Sequence, residues 1–264
     1  MITAKIIKDS INPHGCRITS YILQYPRFIH SELMTHRMFS RNAASSRAIP
    51  INKMIEDVLT NPAQPIHWGK NQKGMQAYEE ISEDDSIKAR LLWFKARDLV
   101  IEQVKKLSEL GVHKQVCNRL LEPFVNIRVL LTATEFSNFF KLRAHHAAQP
   151  EIKDLAYKML DEYNNNTPDL IPVGGWHIPF SDKMPADIDD ETRLKVAIAR
   201  AARVSYNTFD GDINIEKDID LYDKLLSEGH YSPFEHCARS YDGDNKFDNF
   251  LGWLSYRKLK NNLK

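Results

Sequence analysis

Hydrophobic positions along the chain follow two different periods. Arg17 to Tyr25 (RITSYILQY) mixes β-branched and aromatic residues and is closed by Pro26, which predicts a strand near the start of the chain. After Pro26, Phe28, Ile29, Leu33 and Met34 recur at helical spacing and predict a short helix ending near Arg37. Ser40 to Asn52 lose that periodicity, and Asn61 to Gln76 holds two prolines and two glycines, so both stretches read as loops. The longest helical pattern, Ser86 to Leu110, carries Leu91, Leu92, Ala96, Leu99, Val100 and Val104 on one side and stops at Gly111. A second helix is expected from about His113 to Leu121, ended by Pro123. Thr132 and Glu135 have capping-box spacing, so a third is expected to start there and run past Leu142. Pro150-Glu151 opens a fourth, through about Tyr163. The polar stretch Asn164 to Gly175 is the best candidate boundary, and two further helical patterns follow, Glu191 to Val204 and Glu216 to Glu228. The basic tail, Tyr256 to Lys264, is expected to fray. The sum is an α+β fold, mostly helical with a small antiparallel sheet.

Composition narrows the class. The chain has 264 residues, and 36 Lys+Arg against 35 Asp+Glu leave a formal charge of +1. That balance offers no general attraction to a nucleic-acid backbone or an anionic membrane. No stretch approaches the roughly 18 apolar residues of a membrane span, and the N-terminus lacks a secretory apolar run, so a cytoplasmic protein is expected. Cys16, Cys117 and Cys237 are far apart without a Cys-x-x-Cys pair, which argues against a disulfide scaffold or a cysteine zinc site. Nucleotide cradles of the Gly-x-Gly-x-x-Gly and Gly-x-x-x-x-Gly-Lys-Ser/Thr types are absent, as are Gly-x-Ser-x-Gly and His-Glu-x-x-His. His145 and His146 point about 100° apart on a helix and suit chelation poorly, so no metal site is expected.

The candidate chemistry lies in three segments. Thr35 to Arg47 (THRMFSRNAASSR) holds three arginines, one histidine and three serines, with no acid from Leu33 to Ile55. Such forks and hydroxyls at a helix-to-loop junction suit phosphate oxygens, although a solvated basic loop is the plainer alternative. Glu32 and His36 lie one helical turn apart and can hydrogen-bond. The second segment, Glu135 to Arg143, sets Phe136, Phe139 and Phe140 as a core stripe and leaves Asn138 and Arg143 as polar candidates, with Arg119 on the preceding helix. The third, Gly229-His230-Tyr231-Ser232-Pro233-Phe234-Glu235-His236, is a polar corner after a helix.

Together these segments resemble the flavin-dependent thymidylate synthases. That family's Arg-His-Arg-x-x-Ser-x-Asn-Glu-x-Ser-x-Arg signature corresponds to Thr35 to Arg47. Its Leu-Arg-x-x-x-x-Ala-Gln-x-Glu-Ile is matched by Leu142, Arg143, Ala148, Gln149, Glu151 and Ile152, and its Arg-x-x-x-Pro by Arg119 and Pro123. The Gly-His-x-Ser/Thr-Pro-Phe-Glu-His corner is Gly229 to His236, preceded by Ala202-Arg203-Val204-Ser205-Tyr206. In typical members these last two segments come first, so the chain resembles a circular permutation in which residues 175–264 carry the segment that is N-terminal elsewhere. The resemblance leaves roughly Asn61 to Ser86 and Asn164 to Thr192 aside.

The resemblance implies one domain over residues 1–264, a homotetramer, and FAD and dUMP bound between subunits. It implies dTMP synthesis with methylenetetrahydrofolate as carbon donor and NADPH as reductant. Arg143 would contact the uracil and favour its N3-deprotonated form. Glu32, Ser45, Ser46, Arg47 and Arg119 would surround dUMP, and His36, Arg37, Asn138, His230 and Ser232 would hold FAD. A reduced cofactor replaces the cysteine nucleophile of classical thymidylate synthesis, and Cys117 reads as a packed residue. Four positions depart from the family pattern: Thr35, Ala43, Thr132 and Thr134 stand where it has arginine, glutamate, asparagine and arginine. Glu32 replaces a glutamine, which would favour a base presenting a donor, such as cytosine. Two alternatives therefore accompany the leading reading: a flavoenzyme modifying another pyrimidine nucleotide, for example by hydroxymethylation, and a catalytically silent nucleotide-binding relative.

Overall fold

The computed structural model describes residues 1–206 and 214–261. Its centre is a five-stranded sheet in the order β3-β4-β2-β1-β5. The strands are β1 (Thr3–Ile11), β2 (Arg17–Pro26), β3 (Ser40–Ala43), β4 (Asn126–Ala133) and β5 (Asp169–Leu170). β2 is the strand the sequence predicts. It pairs antiparallel with β1 on one side and β4 on the other, and β1 and β5 run parallel. β1 (TAKIIKDSI) lacks regular alternation, and its register slips between Ile6 and Lys8, which hides it from a pattern search.

The expected capping box at Thr132 and Glu135 does not form. Thr132 lies within β4, opposite Ser20 of β2 and Ser40 of β3. The run Val129-Leu130-Leu131 is better satisfied by pairing on both edges and burial on both faces than by a helix, so tertiary context overrides the local signal. The helix starts only at Ser137 and ends at Arg143. The expected loop Ser40 to Asn52 likewise contains β3 and the first residues of a helix, and the short helix after Pro26 ends at Met34 rather than Arg37.

The helices are α1 (His30–Met34), α2 (Ile51–Thr60), α3 (Glu83–Glu109), α4 (Lys114–Leu121), α5 (Ser137–Arg143), α6 (Pro150–Asn165), α7 (Asp190–Tyr206), α8 (Ile215–Ser227) and α9 (Tyr256–Asn261). One sheet face places Tyr21, Leu23, Val129 and Leu131 against Leu33 of α1, Phe136 at the start of α5, Phe139 of α5, and Ile152 and Leu155 of α6. The opposite face sets Leu130 and Ile22 against α7, α8 and the corner residue Phe234. A satellite core joins α2, α3 and α4 through Met54, Val58, Ile101, Val104, Cys117 and Leu121. The apolar stripe of α3 is only partly used: Val104 is buried, whereas Leu91, Leu92 and Leu99 are 63%, 67% and 53% exposed.

The C-terminal part contributes a three-stranded sheet of β6 (Trp176–His177), β7 (Ala238–Ser240) and β10 (Trp253–Ser255), and a pair of β8 (Lys246–Phe247) and β9 (Phe250–Leu251). The tail does not fray from its start. Tyr256 is buried in the second core and opens α9, while residues 262–264 lie outside the described residues.

Candidate active site

The arginine segment leaves α1, turns through residues 35–39, becomes β3, and ends in a turn against α4. Its first part is held by short-range bonds: Thr35 Oγ1 donates to the Glu32 carbonyl at 2.7 Å, and the His36 amide donates to Leu33 at 3.1 Å. Arg41 folds back and donates to the carbonyls of Met34 and His36 at 3.3 and 3.1 Å, so its cation closes the C-terminal end of α1.

His36 stands between the rings of Phe39 and Phe139, with centroids 5.9 and 4.9 Å away. Its partner is not Glu32, as the helical spacing suggested, but Arg143, whose Nε donates to His36 Nε2 at 3.1 Å. Burial first, then the Arg143 and Arg41 charges, push the imidazole pKa below its ordinary value. The ring is therefore neutral at pH 7 and carries its proton on Nδ1. Arg143 keeps both terminal nitrogens without a protein partner among the described residues. Glu32 lies within electrostatic reach of it, and Glu32 Oε2 is buried without a hydrogen-bond partner. Burial raises the Glu32 pKa, with Arg143 acting against the shift and Glu151 adding to it. Asn138 and Arg37, both exposed, line a cavity of about 270 Å³ with His36, Phe39 and Lys246.

The other end of the segment is differently built. Ser46 Oγ donates to Glu122 Oε1 at 2.6 Å, and Arg119 and Arg27 reach the same oxygen at 2.9 and 3.1 Å. Burial opposes charge on Glu122, but the Ser46 hydrogen bond and the Arg27 and Arg119 charges outweigh it and hold the carboxyl below its usual range. Asn118, fully buried on α4, donates to the carbonyls of Ser46 and Ile49 and fixes the turn. Arg47 is exposed and makes no ion pair among the described residues. Arg143 and Arg119 have different partners, His36 for the first and Glu122 for the second.

Between the two ends, β3 meets the C-terminal segment. The Ser45 amide donates to the Ser205 carbonyl at 2.8 Å, Asn42 donates to Ala201, and Ser232 Oγ donates to Asn42 Oδ1 at 2.6 Å. Ser232 and exposed His230 line a cavity of about 480 Å³ with Arg41, Asn42 and Ser205. The segments that are far apart in the chain, 35–47, 201–205 and 229–236, are thus adjacent in space.

Sequence reasoning missed a buried polar chain that joins the two parts. Ser10 bonds His177 Nδ1, His177 Nε2 bonds Ser20, Ser20 bonds Thr132, and Thr132 bonds His236 Nδ1, at 2.9, 2.9, 2.6 and 2.9 Å. Burial pushes the His236 pKa down to about 3 and that of His177 well below its ordinary value, so both rings are neutral. Thr134 Oγ1 accepts from the Leu251 amide at 3.0 Å. Two family departures, Thr132 and Thr134, therefore serve as joints to the C-terminal segment. Glu122 and Arg27 were also missed. The Arg119-x-x-Glu122 spacing of one helical turn was the available signal for the first.

Residues 14–169 match a family profile described as thymidylate synthase complementing protein. The chain belongs to that family. Flavin-dependent thymidylate synthase from Pyrococcus abyssi is 27% identical over 189 residues, covering 65% of this chain and 70% of that protein. The protein of the same name from Thermococcus onnurineus is 28% identical over 201 residues, covering 71% and 74%. Among solved structures, the UMP/dUMP methylase PolB from Streptomyces cacaoi, bound with 5-Br dUMP, superposes with a TM-score of 0.52 at 16% identity. That superposition covers 62% of this chain and 90% of PolB, and it supports the fold.

Proposed function

We propose that the chain makes dTMP from dUMP, with methylenetetrahydrofolate as carbon donor and FAD, reduced by NADPH, as cofactor. The observation that carries this reading is the Arg143 guanidinium, fixed through Nε on a neutral imidazole with its two terminal nitrogens free. A fork of that kind recognises the O–C–N edge of a pyrimidine, and its charge favours the base deprotonated at N3. Ser45, Ser46, Arg47 and Arg119 take the phosphate end, with Arg47 the most available cation and Glu122 holding Ser46 and Arg119 in place.

The residues present fit a flavin. His36, Arg37 and Asn138 offer a neutral ring, a cation and an amide around one cavity, and His230 and Ser232 line another against β3. These are the residues that would hold the cofactor. A bound reduced flavin supplies the reducing equivalents for the transferred carbon. Cys117 is fully buried and its Sγ donates to the Val112 carbonyl at 3.2 Å, which suits a route without a thiol nucleophile.

In this reading the protein is a homotetramer in which neighbouring copies complete each site. The exposed leucines of α3 supply apolar surface for such contacts. Residues 1–264 act as a single domain whose C-terminal portion stands where typical relatives begin. A cytoplasmic location accords with this chemistry. Among the described residues, no helix is long and apolar enough to cross a membrane.

Glu32 favours a second reading. Its buried, unpartnered Oε2 is an acceptor suited to an exocyclic amino group, as in dCMP, with a hydroxymethyl group as the added unit. Incubating the flavin-loaded protein with NADPH, methylenetetrahydrofolate and either dUMP or dCMP tests both. A product one CH2 heavier than dUMP supports the first reading. Turnover of dCMP alone supports the second, and turnover of neither nucleotide defeats both.

A further inference from the structure

The long helix α3 carries two stripes of 4-3 spacing, and the fold of one chain uses the first. The inward stripe is Trp93, Arg97, Val100, Val104 and Leu107. Its four apolar members belong to the satellite core, and Arg97 donates to the Val58 carbonyl. The residue before each of the first four forms the second stripe, Leu92, Ala96, Leu99 and Gln103, about 100° further round the helix. All four are exposed, Leu92 and Leu99 by more than half, and half-buried Ala89 continues the stripe toward the N-terminus. A mostly apolar 4-3 repeat is the seam of a helix pair, and nothing among the described residues covers this one.

The flank of this seam is charged in a fixed order. Lys88, Lys95, Glu102 and Glu109 stand seven residues apart on its solvent side, all exposed, with the cations in the N-terminal half and the acids in the C-terminal half. Lys95 and Glu109 make no ion pair among the described residues. Lys88 and Glu102 are met by exposed neighbours on α3 itself, Asp85 at 2.9 Å and Lys106 at 2.6 Å. A second α3 laid antiparallel about a two-fold axis between residues 97 and 98 sets Lys95 against the partner's Glu102 and Lys88 against the partner's Glu109. The symmetry makes each pair twice. In the same register Ala96 faces the partner's Leu99, so a small side chain meets a large one. A parallel pair would turn Lys88, Lys95 and Glu102 toward the partner's Trp93, Val100 and Leu107, which its satellite core already engages. These three residues lie between the two stripes, so an antiparallel partner extends the satellite core.

We propose that α3 pairs antiparallel with α3 of a second copy of this chain, with Leu92, Ala96 and Leu99 as the seam and the Lys95–Glu102 and Lys88–Glu109 pairs fixing direction and register. The proposal deepens the homotetramer reading above, on which it rests for self-assembly, by naming one of the two-fold contacts. The paired stretch, Lys88 to Glu109, is about 32 Å long. A slip of one heptad brings Lys95 against Lys95 or Glu102 against Glu102, so like charges exclude the neighbouring registers.

The test is analytical ultracentrifugation of the full-length protein over a range of concentrations, with far-UV circular dichroism and thermal melting of each variant alongside. The variants are Leu99→Asp, Lys95→Glu, Glu102→Lys and the exchange Lys95→Glu/Glu102→Lys, all at exposed positions. Leu99→Asp is expected to halve the mass of the assembly, leaving its other contact in place. Each single charge reversal is expected to weaken the same association about tenfold or more. The exchange is expected to restore it to within about threefold of wild type, because it recreates both pairs with their ends reversed. A wild-type tetramer whose mass and dissociation are unchanged in well-folded Leu99→Asp and Lys95→Glu variants would overturn the pairing and leave the tetramer standing. Single reversals that weaken association without rescue by the exchange would overturn the antiparallel register, and the proposal with it. A wild type that stays monomeric throughout would instead overturn the homotetramer reading itself.

Discussion

The two ends of the arginine segment show opposite treatments of the same side chain. At its start, Arg143 donates one bond to a neutral imidazole and keeps two nitrogens open. At its end, Arg119 shares Glu122 with Arg27 and with the Ser46 hydroxyl. A guanidinium hydrogen-bonded to a neutral acceptor keeps more of its charge for a ligand than one hydrogen-bonded to a carboxylate. The difference separates a group suited to polarising a base from a frame suited to holding a loop in shape. A basic segment in sequence is therefore not a uniform receptor, because the acids that temper it come from elsewhere in the chain.

Removing Arg143 should break the comparison most visibly. Arg143→Ala is expected to lower dTMP formation by about 100-fold or more, with folding intact, as measured by product mass and circular dichroism. Activity near wild type would take Arg143 out of the mechanism. The opposite end should respond through stability. Glu122→Ala leaves Ser46 without its acceptor and two arginines without their shared counter-charge, so urea unfolding is expected to show a loss of about 1–3 kcal/mol. An unchanged midpoint would mean that Glu122 frames nothing.

A similar contrast holds between histidines. His236 is sealed in the core with its folded pKa lowered to about 3, below its unfolded value of about 6.5, and His177 shifts in the same direction. The unfolded chain then binds more protons in this interval, so the stability contributed by these rings is complete above about pH 6.5 and is lost as pH falls toward 3. Denaturant midpoints between pH 7.5 and 4 should fall accordingly, and His236→Asn should flatten the slope. A wild-type midpoint that does not fall over this range would contradict the buried neutral assignment. The smallest effect is expected at half-buried His36, where His36→Ala frees Arg143 Nε and should raise the KM for dUMP about 3- to 10-fold with less change in kcat.

Legibility in the sequence followed how local each feature was. β2, the helices at 114–121 and 150–165, and the phenylalanine stripe of α5 are set by short-range pattern, and they stand close to where the pattern put them. β1 and β4 were hidden for different reasons. β1 has a broken alternation, and β4 ends in a threonine that mimics a helix cap while its hydroxyl in fact joins Ser20 to His236. The spacing around Arg143 singled it out as a polar candidate, but its bond to His36 could not be read, because Glu32 was the nearer partner along the helix. Glu122, Asn42 and Ser20 gain their roles only when distant segments meet. The family resemblance sets the corner at 229–236 beside the arginine segment, and the Ser232–Asn42 and Ser45–Ser205 bonds are the physical form of that adjacency.

The central claim is that Arg143 is the open grip on a pyrimidine nucleotide and that Arg119 belongs to a frame built on a carboxylate. Calorimetric titration of dUMP onto flavin-loaded wild type, Arg143→Ala and Arg119→Ala tests it most directly. The account predicts at least about a tenfold loss of affinity for Arg143→Ala and a clearly smaller loss for Arg119→Ala. Equal affinities for wild type and Arg143→Ala would contradict it.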